Sequence, residues 1–409
     1  MLHSLIICPA SLVLNWESEF SKFSDINELL VIHGNKESRI EKISSIKNEI
    51  VITSYDYTKR DIDLYKEIEF DTFIIDEAQY IKNYKTKVTK AVKQIISEYK
   101  IALTGTPIEN TLSELWSIFD FLMRGYLFKY EKFSNLLEKP IVLNNDENCK
   151  EKLKSMVEPF ILRRLKSEVL NELPQKIEET YYVEQSEEEK KIYLSNLMMV
   201  NKAISSKEDN NKIEILAMLT KLRQICIDPR LLYESVTDVS SKIKVSIELI
   251  QKSIENKEKV ILFSNFTSVL DLLSQELNKI NIDYYTLTGS TNKIMRKKLV
   301  DDFQSDDTPV FLISLKAGGT GLNLTKASVV IHIDPWWNLS AQNQATDRAY
   351  RIGQKNVVQV FNLITKDTIE EKIQKLQLSK KDLSDIFIEN SKGSFANMSK
   401  EDLLELFKY

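Results

Sequence analysis

The amino-acid sequence predicts an α/β protein of two parallel-sheet lobes with a helical insertion between them, and three observations carry that expectation. Short β-rich runs alternate with charged helical patterns up to about residue 124, and the same rhythm returns from residue 259. The stretch between, from 125 to about 240, is rich in Leu, Lys and Glu at helical spacing and lacks β-rich runs. With 409 residues, 43% apolar and 28% charged, the chain has the length for two or three domains and the composition of a soluble globular protein.

In the first lobe, 1–124, the strands are read at "SLIIC", "LLVIHG", "EIVITSY", "TFIID" and "IALTG", with helical patterns such as "NWESEFSKF" and "KTKVTKAVKQIISEY" between them. The second lobe, 241–375, offers "KVILFSNF", "YYTLTG", "PVFLISL", "SVVIHID" and "VVQVFNLI", interleaved with helices such as "SVLDLLSQELNKI". Runs this apolar suit strands covered on both faces. From about 368 the pattern is helical with no turn signal before "SKGSF", so 376–409 is expected to brace the second lobe rather than form a domain.

Composition also excludes. Net charge is −4, so the chain as a whole does not attract nucleic acid, and any such surface must be a local cleft of Lys and Arg. Cys8, Cys149 and Cys226 are scattered, as are His3, His33 and His332, so neither a zinc site nor a disulfide framework follows. The opening "MLHSLIICPASLVLNW" lacks a basic n-region and its apolar run is broken at Cys8-Pro9, which argues against a signal peptide. The expectation is a cytoplasmic, nucleoid-associated protein with no membrane span.

Three motifs carry chemistry. In "FIIDEAQYIKN" an apolar run stops on Asp76 and Glu77, and ligands of open α/β sheets bind at the carboxyl ends of strands. The candidate ligand is a nucleotide with its magnesium; alone, the pair also describes a solvated strand end. "ALTGTPIEN" follows the next strand with small hydroxyl residues and a glycine, suited to a loop that shifts between states, though by itself it is an ordinary turn. In "DPWWNLSAQNQATDRAYRIGQ", Gln344, Arg348 and Arg351 are spaced to share one helix face, and two guanidiniums on one face suit charge neutralisation in phosphoryl transfer. An exposed basic face fits two arginines equally well.

Taken in order, these motifs resemble the Swi/Snf family of helicase-like ATPases that translocate on duplex DNA. The resemblance runs through "LIICPASLVLNW", "VITSYD", "IIDEAQYIKN", "LTGTPIENTLSELWSIFDFL", "PFILRRLKSEVLNELPQK", "LTKLRQICIDPRLL", "ILFSNFTSVLDLL" and "LTGSTNKIMRKKLVDDFQ" to "QATDRAYRIGQ", from residue 5 to 375. It implies two RecA-like lobes that close on ATP and Mg. Asp76 would then hold the metal, Glu77 would activate the attacking water, and Arg348 and Arg351 would act as arginine fingers. Gln79, Gln344 and the turn of Gly318, Gly319 and Gly321 would bind ATP or close its site. Thr104, Gly105 and Thr106 would couple hydrolysis to lobe movement. DNA phosphates would be held at Pro9, Ser11, Thr53, Ser54, Asn265, Thr267, Ser290, Arg296 and Lys316, and Trp336 and Trp337 either couple to DNA or fill the core. The "AQNQATDRAYRIGQ" form looks bacterial, which argues against a nucleosome partner.

The chain departs from the family pattern at Gln79, where histidine is usual, at Leu339 for proline and at Asp228 for histidine. More consequential is a missing part. None of the nine glycines precedes lysine, so the phosphate-binding Gly-Lys-Thr/Ser loop is not in these residues. The first lobe is therefore expected to be incomplete, with an unpaired edge beside the strand that ends in Asp76. The loop is then expected from a preceding segment in cis or from another polypeptide, with the 409 residues inactive alone. Two alternatives stay open: a non-catalytic module that docks on DNA, RNA polymerase or another DNA-bound protein, and a helicase that separates strands.

Overall fold

The computed structural model describes residues 3–25, 28–105, 111–144, 146–162, 164, 173–205, 212–318, 321–336, 339–375 and 407. The expected calls at Thr106, Gly319 and Trp337, and the tail 376–409 apart from Phe407, lie outside them.

Two compact units form, one from the described residues up to Arg164 and one from those after it. The first holds a five-stranded parallel sheet in the order β2 (Leu29–Val31), β3 (Ile50–Ser54), β1 (Ser4–Cys8), β4 (Glu69–Asp76) and β5 (Ile96–Leu103). The second holds a six-stranded parallel sheet in the order β6 (Lys176–Val183), β11 (Val358–Thr365), β10 (Ala327–His332), β7 (Lys259–Ser264), β9 (Val310–Ser314) and β8 (Tyr284–Leu287). The predicted pair of parallel-sheet α/β lobes is therefore what the chain forms. Among the described residues no helix is long and apolar enough to cross a membrane.

The central strands β1, β7, β9 and β10 are mostly apolar and buried nearly from end to end because both of their faces are covered. In the second unit, alternate residues of β7 divide between two cores: Val260 and Leu262 pack on one side, Ile261 and Phe263 on the other. In the first, Leu5, Ile7, Phe73 and Ile75 enter one cluster, where Phe73 meets Phe121 edge-on at 5.1 Å, while Ile6 and Ile52 face the other way. Two helices of the second unit start where a side chain caps them. Asn292 accepts from the Met295 amide and Ser240 from the Ile243 amide, each cap contributing about 1 kcal/mol.

Three sequence expectations are corrected. The stretch 125–240 is not wholly helical: "KIEETYYV" forms β6, an edge strand whose charged, exposed residues mimic a polar loop. "KTKVTKAVKQIISEY" is only partly helical, since the helix ends at Val92 and β5 already begins at Ile96. Finally, β4 has β1 on one side and β5 on the other, so the Asp76 strand has no open edge.

The sheet has edges at β2 and β5, and β5 pairs with β4 alone among the described strands. It is unusually apolar for an edge: Tyr99 is 60% exposed, Ile101 45% and Leu103 39%. In register these lie beside Thr72, Ile74 and Asp76, so the uncovered patch runs up to the carboxylate.

Candidate active site

β4 ends on Asp76 and the chain turns at once. Glu77 takes up a left-handed conformation, φ 53° and ψ 57°, which a residue with a Cβ adopts at a cost of about 1 kcal/mol. The Glu77 amide donates to Asp76 Oδ1 at 2.8 Å, and its carbonyl accepts from the Tyr80 amide at 2.9 Å, closing the turn. The indole Nε1 of Trp16 donates to Asp76 Oδ2 at 2.9 Å, and the Tyr55 hydroxyl donates to the Asp76 carbonyl at 2.7 Å. Tyr55 stacks on Tyr80 at 4.9 Å, and burial, aided by the nearby Asp76 charge, pushes its phenol far above the usual range, so it stays a donor.

The second carboxylate is wired to the next strand. Gln79 Nε2 donates to Glu77 Oε2 at 2.6 Å, and the Thr104 hydroxyl donates to Gln79 Oε1 at 3.0 Å. Asp76, Glu77, Gln79 and Thr104, far apart as motifs, thus form one site at the carboxyl ends of β4 and β5, and Gly105 lies exposed beside it. The Gln79 amide bridges the two motifs because it donates at one end and accepts at the other.

In the second unit the predicted arginine helix stops early. It spans Leu339–Thr346 and carries a half-buried Gln344, while Arg348 and Arg351 lie in the turns beyond it. The main-chain ladder is diverted there, since the Arg348 carbonyl accepts from the Leu324 amide at 2.9 Å. Arg348 Nε donates to the Gly318 carbonyl at 3.2 Å, and an Arg351 terminal nitrogen donates to the Leu322 carbonyl at 3.3 Å. Both guanidiniums are therefore tied to the loop that carries the glycines. Gly318 is buried for a reason other than the one expected: a Cβ there would come within 2.6 Å of the Phe263 ring, so its bareness serves packing. Gly321, at φ 56°, supplies the turn.

His332 holds the helix Leu339–Thr346 from beneath. Its Nε2 lies 2.8 Å from the Thr346 hydroxyl, and complete burial pushes the imidazole down to about 3, keeping it neutral.

The residues expected on DNA divide sharply. Thr53 and Ser54 are buried, with the Thr53 hydroxyl on the Ile32 carbonyl and Ser54 capping the helix Tyr55–Arg60, so neither presents a side chain to a phosphate. Pro9 is buried and Ser11 half-buried, whereas Thr267, Ser290 and Lys316 are exposed. Asn265 is spent inside the fold: its main-chain amide and side chain both donate to Asp334, which also pairs with the buried Arg223. Arg296 is half-buried and donates to the Ala317 carbonyl. Trp336 is half-buried against the second unit's core, with the Arg223 guanidinium 5.7 Å from its ring.

Trp16, Tyr55 and Arg223 lie inside the motifs, and only the structure shows what they hold. A polar-tipped aromatic in a motif next to a buried strand was the available signal. Asp228, a departure from the family pattern, caps the turn Pro229–Leu231 and pairs with Arg230, which also binds Glu276, so its role is architectural.

The profile of the SNF2-related domain matches residues 3–231, and that of the helicase conserved C-terminal domain matches residues 241–353. The chain belongs to the SNF2-related family. This SNF2 chain is 42% identical over 409 residues to an ATP-dependent helicase of Mycoplasma genitalium, matching 100% of this chain and 39% of that protein. It is 37% identical to the putative ATP-dependent helicase/translocase YwqA of Bacillus subtilis, over 98% of this chain and 45% of YwqA. With the TATA-binding protein-associated factor MOT1 of Saccharomyces cerevisiae it shares 31% identity, over 99% of this chain and 25% of MOT1. The SNF2 chain thus spans less than half the length of these relatives. Among solved structures it is similar to the Sulfolobus solfataricus SWI2/SNF2 ATPase core in complex with dsDNA, at 37% identity and a TM-score of 0.48, covering 98% of this chain and 86% of that one.

Proposed function

We propose that the chain forms most of an ATP-driven motor that moves on duplex DNA and remodels protein–DNA complexes. The observation that carries this reading is the Asp76–Glu77–Gln79–Thr104 network: two carboxylates of distinct environment at a strand end, one of them linked through Gln79 to Thr104 at the end of the next strand. Family membership and the relatives named helicase or translocase support it.

The donor set fits magnesium only together with a nucleotide. Among the described residues no group of three or more His, Cys, Asp or Glu could hold a metal. Mg²⁺ commonly takes one or two carboxylates and completes its shell with phosphate oxygens and water. Asp76, with Oδ1 accepting from the Glu77 amide and Oδ2 from the Trp16 indole, supplies one such carboxylate. Bound there with ATP, the ion would neutralise charge on the phosphates as they separate.

Glu77 takes the proton of the attacking water. Gln79 holds the carboxylate for that task, and any shift of Thr104 reaches Glu77 through Gln79, which gives hydrolysis a link to movement of the Thr104–Thr106 loop. Arg348 and Arg351 neutralise the γ-phosphate as it leaves, exchanging carbonyl partners for phosphate oxygens. The phosphate-binding loop comes from a segment outside these residues, whose strand pairs with the open edge of β5. The exposed Tyr99, Ile101 and Leu103 beside Asp76 support that docking place.

The test compares ATP hydrolysis by the 409 residues alone with hydrolysis by a natural, longer polypeptide that carries the loop. The expected outcome is no turnover alone, duplex-stimulated turnover in the longer form, and a loss of about 10²–10⁴-fold there in Glu77→Gln. Turnover by the 409 residues that Glu77→Gln abolishes would refute the need for the loop. Stimulation by RNA alone would refute the duplex assignment.

A further inference from the structure

We infer that Trp16 is a positioning residue that ties the loop Pro9–Ser11 to the Asp76 carboxylate, so that duplex engagement at the loop resets the carboxylate that takes the metal. The inference rests on the proposed function for the identity of what the loop meets, and on the structure for the connection itself.

The connection is short and continuous. The Leu12 amide donates to the Pro9 carbonyl at 2.8 Å, and the Trp16 amide donates to the Leu12 carbonyl at 2.9 Å, so the loop turns straight into the helix Val13–Phe23. One turn along that helix, the indole donates to Asp76 Oδ2 at 2.9 Å. A helical turn is stiff along its axis, so displacement of Pro9–Ser11 is delivered to the indole rather than absorbed.

The receiving end is equally constrained. Asp76 Oδ1 is held by the Glu77 amide and Oδ2 by the indole, so these two donors fix the carboxylate plane. A donor to an ionised carboxylate makes one of the stronger hydrogen bonds of a protein, and the indole N–H cannot accept, so the bond has one polarity. A second motif reaches the same residue, since Tyr55, next to Ser54, donates to the Asp76 carbonyl. Tyr55 grips the main chain and so anchors the strand end, whereas Trp16 acts on the carboxylate itself, at Oδ2.

The competing account is that Trp16 only packs, where it lies half-buried with its ring 6.0 Å from Phe20. Packing and donation separate in Trp16→Phe, which keeps an aromatic ring and removes the N–H. The 409-residue chain would be labelled with 5-fluorotryptophan and its Trp16 ¹⁹F signal identified as the one lost in Trp16→Phe. Asp76→Ala should move that signal and leave Trp116 in place, and a short DNA duplex added to the unsubstituted chain should move it as well.

In the longer, hydrolysing polypeptide, Trp16→Phe should lower the ratio of duplex-stimulated to duplex-free hydrolysis about tenfold, with duplex affinity within about twofold. A Trp16 signal indifferent to Asp76→Ala, or to duplex in a chain that binds duplex, overturns the inference, and so does an unchanged ratio. A chain that binds no duplex at all overturns the function reading instead, which is measured separately by the binding titration.

Discussion

Glu77 holds the sharpest conflict between stability and chemistry in the molecule. A left-handed φ of 53° favours glycine, yet the position carries a glutamate whose oxygen is gripped by Gln79. Glu77→Gly should therefore raise the unfolding free energy by about 1 kcal/mol in urea melts while abolishing hydrolysis in the longer polypeptide. Equal or lower stability would show that the turn is relaxed as it stands. The strand end itself was legible from "FIIDEAQYIKN", because an apolar run that halts on two acids marks where a buried strand stops. Its partners were not: Trp16 lies 60 residues from Asp76 in sequence, and only the pairing of β1 with β4 brings the two motifs together. Thr53 and Ser54 went the other way, since hydroxyls that read as phosphate contacts are consumed by a carbonyl and a helix cap.

Among the elements, β5 behaves unlike every other strand of its sheet. Parallel strands are normally covered on both faces and paired on both sides, but β5 presents Tyr99, Ile101 and Leu103 to solvent. Exposed apolar edges associate, so the 409-residue chain should self-associate at raised concentration, and Ile101→Lys should return it toward monomer in sedimentation experiments. Unchanged association in a folded Ile101→Lys chain would place the contact elsewhere. The strand runs of both lobes were readable from their Val, Ile and Leu content. β6 was not, because a strand exposed along its length carries glutamates and tyrosines and loses the apolar signature. The end of the helix Leu339–Thr346 was equally hidden, since the Leu324 amide that captures the Arg348 carbonyl is distant in sequence.

For the whole molecule, a net charge of −4 means that duplex affinity must come from a few local cations rather than from bulk attraction. Binding should therefore weaken with salt at a modest slope, and Lys316→Ala should reduce that slope by about 1, the share of one phosphate contact. An unchanged slope would remove Lys316 from the duplex surface. The sequence by itself determined the class of fold, the apolar strands of both lobes and the motifs of an SNF2 protein, because local apolar periodicity and short motifs are written in neighbouring residues. Tertiary structure decided which residues touch the Asp76 and Glu77 carboxylates, which expected DNA contacts are buried, and that an apolar open edge lies on β5 rather than on the Asp76 strand. Those outcomes depend on strand order and on hydrogen bonds between distant segments, which no local pattern encodes.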